Sequence, residues 1–397
     1  MKIIQRKIYL NQLISVKDIP DIKVITGVRR AGKSKLMELY HNYLAMEENN
    51  NIIHIKLNLK EFSSLTNAEE LYHYITSKYI QSKNNYLLID EVQMCNGFEN
   101  VINSRHEEEK YDIYLTGSNA FLLSSDLATL FGGRVFEIKV FPFSFKEYTT
   151  YYGMSNIDES FDLYFKSGGM SGSYLYRTEN DATKYIEGIV KATIVRDIIE
   201  KYQIENEDLL KLIYEFLMDN IGNQTSIRNI ANKLTSSSYK TNDKTCGAYV
   251  DYLCKSFLFY PFQRFNIKGN TYLESDKKYY LSDLSFRRAI LGNRYTDTGH
   301  LYENLVGIEL LRRDYEVYIG KLYQKEIDFV AMKNGKRIYI QVSDDITNQD
   351  TFLREVTPLL SIQDSYPKVV IARTKHEAYD YKGIEIIDIA RWLYDEQ

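Results

Sequence analysis

A chain of 397 residues, 44% hydrophobic and 26% charged, has the composition of a globular protein with room for two or three domains. Five prolines and 35 tyrosines exclude a disordered chain, and no run approaches the roughly 18 apolar residues of a membrane span, so a cytoplasmic protein with no membrane partner is expected. The net charge of −4 is unevenly spread: residues 1–225 carry −6, residues 226–294 carry +7 and residues 295–397 carry −5. Such a basic island suits a nucleic acid backbone, or is simply a lysine-rich solvated surface. Cys95, Cys246 and Cys254 lack metal-ligand spacing and are expected as free thiols, and the six scattered histidines suggest no zinc site.

In chain order, IKVIT (Ile22–Thr26) is short, β-branched and apolar, as a buried strand should be. GVRRAGKSK follows and fits G-x-x-x-x-G-K-[ST], and the next stretch places Leu36, Leu39, Tyr40 and Tyr43 at helical spacing. Strand, glycine loop and helix are the context a phosphate loop requires. Its amides wrap phosphate, which needs glycine where the backbone is crowded, and the helix N-terminus adds free N–H groups. The candidate nucleotide-binding residues are therefore Gly27, Val28, Arg29, Arg30, Ala31, Gly32, Lys33, Ser34 and Lys35. Lys33 would reach the outer phosphates and the Ser34 hydroxyl would hold Mg²⁺.

Four more strands are expected at 51–58, 86–90, 111–117 and 134–140, several of them separated by helical patterns, which reads as an α/β sheet with a parallel core. YLLIDEVQ ends a buried strand with Asp90, a water-mediated Mg²⁺ ligand, and Glu91, a base for the attacking water. In TGSN, Ser118 or Asn119 stands where a polar side chain would position that water. Arg134, in LFGGRVFEI, could stabilise transition-state charge in its own subunit or in a neighbour, or serve as an ordinary ion-pair residue.

The run GVRRAGKS, LLIDEVQ, LTGSN, LFGGR and FPFSFKEY resembles AAA+ superfamily P-loop ATPases of the archaeal-ATPase-like branch. The resemblance implies ATP rather than GTP, consistent with the lack of an N-K-x-D motif. It also implies that the strand bearing Ser118 and Asn119 separates the Asp90 strand from the P-loop strand. Glu91 would be the catalytic base, Asn119 or Ser118 the sensor and Arg134 the finger. Residues of about 141–205 would form a helical lid, so that 1–205 is the ATPase domain.

From 206 to 294 the pattern is three helices and two strands around a Gly-Asn turn, the order of a winged helix-turn-helix. Lys240, Thr241, Asn242, Lys244 and Thr245 lead the third helix and Lys268 lies in the turn, with Lys277 and Lys278 nearby. These are residue types that contact double-stranded DNA, although such modules also bind protein partners. Residues 295–397 resemble a PD-(D/E)XK nuclease core: a helix with Glu303, a strand with Asp328, then a strand where E-x-K is replaced by Gln341-Val342-Ser343. A neutral amide and a serine would leave the metal and the water poorly held, and Lys333 or Lys336 offers little rescue. The expectation is an α/β P-loop NTPase with parallel sheet and lid, a winged helix and an inactive nuclease-like domain, with a homo-oligomer open. Its function would be ATP hydrolysis coupled to DNA or a partner, with a slow nucleotide switch or an ATP-fuelled nuclease as alternatives.

Overall fold

The computed structural model describes residues 3–117, 129–236, 239–292 and 297–395. The chain divides into two compact units, Met1–Phe141 and Pro142–Gln397.

The first unit runs α1 (Lys7–Ser15), β1 (Ile22–Thr26), α2 (Lys33–Leu44), β2 (Asn50–Lys56), α3 (Ala68–Lys78), β3 (Asn84–Asp90), α4 (Phe98–Glu107), β4 (Tyr111–Thr116) and β5 (Val135–Lys139). The five strands form one parallel sheet in the order β2-β3-β4-β1-β5. Alternate residues face opposite ways along a strand. Ile22, Val24, Ile53, Ile55, Leu87, Ile89, Ile113 and Leu115 thus share one face and pack with Leu71, Ile75, Phe98, Val101 and Ile102 of α3 and α4. On the other face Tyr40 of α2 meets Tyr114 of β4, hydroxyl to hydroxyl at 2.6 Å. Burial on both faces explains why the strands read as continuous apolar runs. Lys23 is fully buried at the sheet's start, where its ammonium pairs with Asp112, whose carboxylate also accepts from Tyr114 Oη at 2.8 Å.

α2 and β2 also bring His41 and His54 together, Nδ1 to Nδ1 at 3.2 Å. Burial, then the neighbouring His41 and Lys56, push the His54 pKa down to about 4, and burial with Lys56 lowers His41 too. Both imidazoles are favoured neutral in the fold. The folded pKa of His54 lies below its ordinary value of 6.5, so this stability is complete above 6.5 and is lost as pH falls toward 4. Denaturant melts should show a loss of about 2 kcal/mol over that window. His54→Phe should flatten the profile; an unchanged profile would assign the acid loss to other groups.

The second unit starts with α5 (Phe145–Tyr152), held by a capping box between Ser144 and Glu147, then α6 (Ile157–Ser167) and α7 (Glu179–Ala192), which continues into a π-helical turn at Thr193–Glu200. There follow α8 (Glu207–Asp219), α9 (Ile227–Ser236), α10 (Asp243–Lys255), β6 (Phe259–Asn266), β7 (Thr271–Leu281), α11 (Leu284–Leu291) and α12 (Thr298–Arg312). The unit ends with β8 (Glu316–Leu322), β9 (Lys325–Lys333), β10 (Lys336–Ser343), α13 (Gln349–Leu360), β11 (Lys368–Ala372), β12 (Tyr379–Tyr381), β13 (Ile384–Asp388) and α14 (Ile389–Tyr394). Its sheet has eight strands, in the order β12-β13-β11-β10-β9-β8-β6-β7.

Two features differ from the expected three-part division. Residues 142–205, expected as a lid of the first domain, group with the second unit. The cause is local packing: Arg373 pairs with Asp158 of α6 at 2.7 Å, and Phe145 of α5 packs edge-on against Tyr394. The β6–β7 hairpin follows three helices, as a wing would, but β6 pairs in parallel with β8. Phe265 and Ile267 therefore share a core with Ile327, Val330, Val356 and Leu359, and the sheet runs without a break across the expected boundary at 294/295. Among the described residues no helix is long and apolar enough to cross a membrane.

Candidate functional site

The glycine loop leaves the carboxyl end of β1 and closes at Gly32, which precedes α2 with φ of +101°. Gly27 has φ of +134°, and a Cβ there would lie 2.0 Å from the Val140 carbonyl oxygen, so no other residue fits. That approach is fixed by Val140 N–H, which donates to Thr26 O at 2.8 Å. Within the loop Ala31 N–H donates to Val28 O at 3.1 Å, and Arg30 takes the left-handed region at φ +67°. Arg30 and Lys35 are exposed, and Lys35 pairs with Glu38 at 2.7 Å. Arg29 is half-buried.

Lys33 begins α2, and its ammonium curls back into the loop, donating to Gly27 O at 2.7 Å and Val28 O at 3.3 Å. One residue on, Ser34 Oγ donates to Asp90 Oδ1 at 3.0 Å. The loop and the end of β3 are thereby joined through two hard oxygens, a donor set that suits Mg²⁺. Asp90 is 2% exposed and also accepts from the Thr116 hydroxyl on β4. Thr116 Oγ1 in turn accepts from Glu91 N–H at 3.2 Å. Glu91 is left-handed at φ +57°, the kink that turns its side chain out of the strand, and its carboxylate accepts from the Gln93 amide.

Thr116 and Arg6 were not singled out from sequence. Thr116 ends a strand beside a recognised motif, so its position was a usable signal. Arg6 had none, standing far ahead of the loop. Its buried guanidinium donates to Ala31 O at 2.6 Å and Phe141 O at 2.8 Å, bracing the loop from beneath while lying over the Tyr9 ring. Ser118 and Asn119 lie outside the described residues. Of the alternatives open for Arg134, action within its own subunit does not fit the geometry. Arg134 precedes β5, where Ile22 N–H donates to its carbonyl at 2.9 Å, so it stands at the amino end of the strands. The loop is at the carboxyl end, about 16 Å away for five residues of strand, out of reach of this side chain. Arg134 pairs instead with Glu107.

The expected DNA contacts separate into two kinds. Asn242 caps α10 by accepting from Thr245 N–H at 2.9 Å, and the Thr241 hydroxyl lies 3.3 Å from Cys246 Sγ. Lys240 and Lys244 are exposed at the same end. Lys268 is exposed in the β6–β7 turn, 4.8 Å over the Tyr323 ring. Lys278 is no surface residue: it is 3% exposed and pairs with Glu303 at 2.8 Å and Glu326 at 2.7 Å. Gln341 bridges a backbone group and a carboxylate, accepting from Asp328 N–H at 2.7 Å and donating to Glu355 at 3.0 Å, and Ser343 Oγ donates to Asp345 O at 3.1 Å. Lys333 and Lys336 face each other at the far end of the β9–β10 hairpin, five residues from Asp328 and Gln341, roughly 16 Å along the strands. Neither reaches the acids.

A parallel sheet with the P-loop strand inserted beyond β4, a glycine loop opening α2 and an acid pair ending β3 define a P-loop NTPase of the AAA type. Residues 20–149 match the AAA domain family, and residues 158–297 and 298–392 match two domains of unknown function, DUF8612 and DUF4143. The chain belongs to the same family as an uncharacterized protein of Haemophilus influenzae, with 36% identity over 397 residues and 98% of both chains covered. The uncharacterized protein MJ1544 of Methanocaldococcus jannaschii is 26% identical over 390 residues, covering 90% of this chain and 82% of the relative. Among solved structures, the Walker-type ATPase PABY2304 of Pyrococcus abyssi aligns with a TM-score of 0.46 at 16% identity, over 72% of this chain and 95% of that one. AMPPCP-bound DnaA from Aquifex aeolicus aligns with a TM-score of 0.29 at 14% identity, over 62% and 86%.

Proposed function

We propose that this protein binds and hydrolyses ATP with Mg²⁺ and couples the nucleotide state to DNA. The observation that supports this most is the convergence of Lys33, Ser34 and Asp90 at one end of the sheet, with Glu91 one residue beyond. Lys33 and the loop amides take the β- and γ-phosphates, the ammonium exchanging carbonyl partners for phosphate oxygens. Ser34 and Asp90 hold the metal, with Thr116 keeping the Asp90 carboxylate oriented. Bound there, Mg²⁺ neutralises charge on the phosphates. Glu91 accepts the proton of the attacking water, and Ser118 or Asn119 orients that water. Arg134, which does not reach its own loop, acts on a neighbouring subunit's phosphates in a homo-oligomer.

One observation favours the slower switch as a second reading: the Glu91 carboxylate already accepts from the Gln93 amide, which competes with water for it. The nuclease alternative has little support, since Gln341 and Ser343 are engaged elsewhere and no lysine stands in the E-x-K position.

DNA contact is carried by Lys240 and Lys244 at the leading end of α10, with Lys268 in the hairpin turn. Reversing both charges, Lys240→Glu with Lys244→Glu, should weaken duplex binding for all sequences and reduce the slope of log affinity against log salt by about two. Turnover of the wild type should rise with duplex DNA at low salt. Unchanged affinity and slope, with turnover indifferent to DNA, would replace DNA by a protein partner.

A further inference from the structure

β7 carries Lys278 into the middle of the second unit, onto the same strand face as Tyr280 two residues on. There its ammonium lies between Glu303 of α12, at 2.8 Å, and Glu326 of β9, at 2.7 Å. The remaining capacity of Glu303 is filled as well: Tyr280 Oη donates to the oxygen that Lys278 holds, and His300 Nδ1 lies 3.3 Å from the other. Asp328, two residues beyond Glu326, accepts from Val342 N–H at 2.8 Å, and its own N–H donates to Gln341. Burial and the charge of Glu303 raise Asp328 well above the usual carboxylate range. Burial opposes the ionised form of Glu303 too, yet Lys278 and the hydrogen bonds hold it below its ordinary value. Among the described residues no three His, Cys, Asp or Glu side chains converge as metal ligands.

A helix glutamate, Glu303, and a strand aspartate, Asp328, close enough to raise each other's cost of ionisation, are the acid types with which a nuclease-like core would hold a divalent cation. We propose that this cation position is filled by the chain itself: the Lys278 ammonium replaces the metal, pinning β7 to α12 and β9 and excluding divalent cations. This inference is independent of the ATP site. It explains why Glu303 stays ionised while buried although the E-x-K triplet is absent, because a buried carboxylate needs a cation beside it. It also ties the hairpin that follows the DNA-contacting helices to the last hundred residues, so the two move as one body. The lysine comes from β7, outside the strand pair that would supply an E-x-K lysine.

The test uses the full chain without nucleotide and Mn²⁺ as the probe. Titration of the wild type should show no Mn²⁺ binding that depends on Glu303, and millimolar Mn²⁺ should leave its melting unchanged relative to chelator. Lys278→Ala, which removes the ammonium and opens its space, should melt about 10 °C lower in chelator. Mn²⁺ should restore part of that loss, and the restoration should vanish when Glu303→Gln is added. Wild-type Mn²⁺ binding that Glu303→Gln abolishes would overturn the proposal. So would a Lys278→Ala chain that melts like wild type, or one that folds and gains nothing from Mn²⁺. The wild-type titration decides the matter even where Lys278→Ala does not fold.

Discussion

Glu91→Gln is expected to lower ATP turnover by about 10²- to 10³-fold while leaving nucleotide affinity within a factor of about three. The substitution keeps size and shape but removes the carboxylate of the Asp90-Glu91 pair that has an oxygen left to take a proton from water, the other accepting from Gln93. Asp90 cannot take over, because its carboxylate is buried and engaged by Ser34 and Thr116. The affinity is retained because the groups proposed to meet phosphate and metal, Lys33 and Ser34, stand on α2 and are untouched. A fall in affinity matching the fall in turnover would instead make Glu91 a binding group. The left-handed backbone at Glu91 and the hydrogen bond from its N–H to Thr116 Oγ1 should persist in the variant, since neither uses the carboxylate.

Gly27→Ala should damage both fold and site. The new methyl would meet the Val140 carbonyl oxygen at 2.0 Å, and that oxygen belongs to backbone locked beside β1, so nothing flexible can give way. The positive φ adds its own cost for a residue with a Cβ. Together the strain and overlap should cost at least about 3 kcal/mol, read as a lower denaturant midpoint of the first unit, with loss of measurable nucleotide binding. Gly133→Ala provides the comparison: φ is +81° there but nothing lies within 4 Å of the added methyl. Its cost should stay near 1 kcal/mol, about that of the backbone conformation alone. Equal costs at the two positions would show that the contact with Val140 is not what constrains the loop.

The contrast between Gly27 and Lys278 shows which kinds of information the sequence carried. The strand, loop and helix around Gly27 are contiguous, and the phosphate pattern constrains residue type at fixed spacing, so loop and helix were both legible. Asp90 was legible because a buried apolar strand that ends in two acids is a local pattern too. The strands expected at 51–58, 86–90, 111–117 and 134–140 differ from those found by a residue or two at most ends, where hydrogen bonding and not hydrophobicity sets the limit. The order of the sheet, with β4 between β3 and β1, came only through the resemblance, since pairing of distant strands leaves no mark on any one of them.

Non-local partners account for what was missed. Arg6 was a basic residue near the start of the chain until the fold set its guanidinium under Ala31 and Phe141. β6 read as half of a free hairpin because its pairing with β8 joins segments some fifty residues apart. Lys278 was counted with the basic surface, although strand alternation put it in phase with the apolar Tyr280 and Lys277 out of phase with it. That phase was a readable signal. What no local pattern disclosed was the partner, Glu303, without which a buried lysine makes no physical sense. For Arg134 the sequence left its own subunit and a neighbouring one both open, and only the parallel direction of β5 shows that it stands at the end remote from its own loop.

The most direct test of the central claim is ATP turnover by wild type and Glu91→Gln in Mg²⁺, with bound nucleotide assayed on the same samples. The account predicts that both chains retain ATP and that only the wild type converts it steadily to ADP and phosphate. Equal turnover in the two, or no nucleotide bound by either, would contradict it.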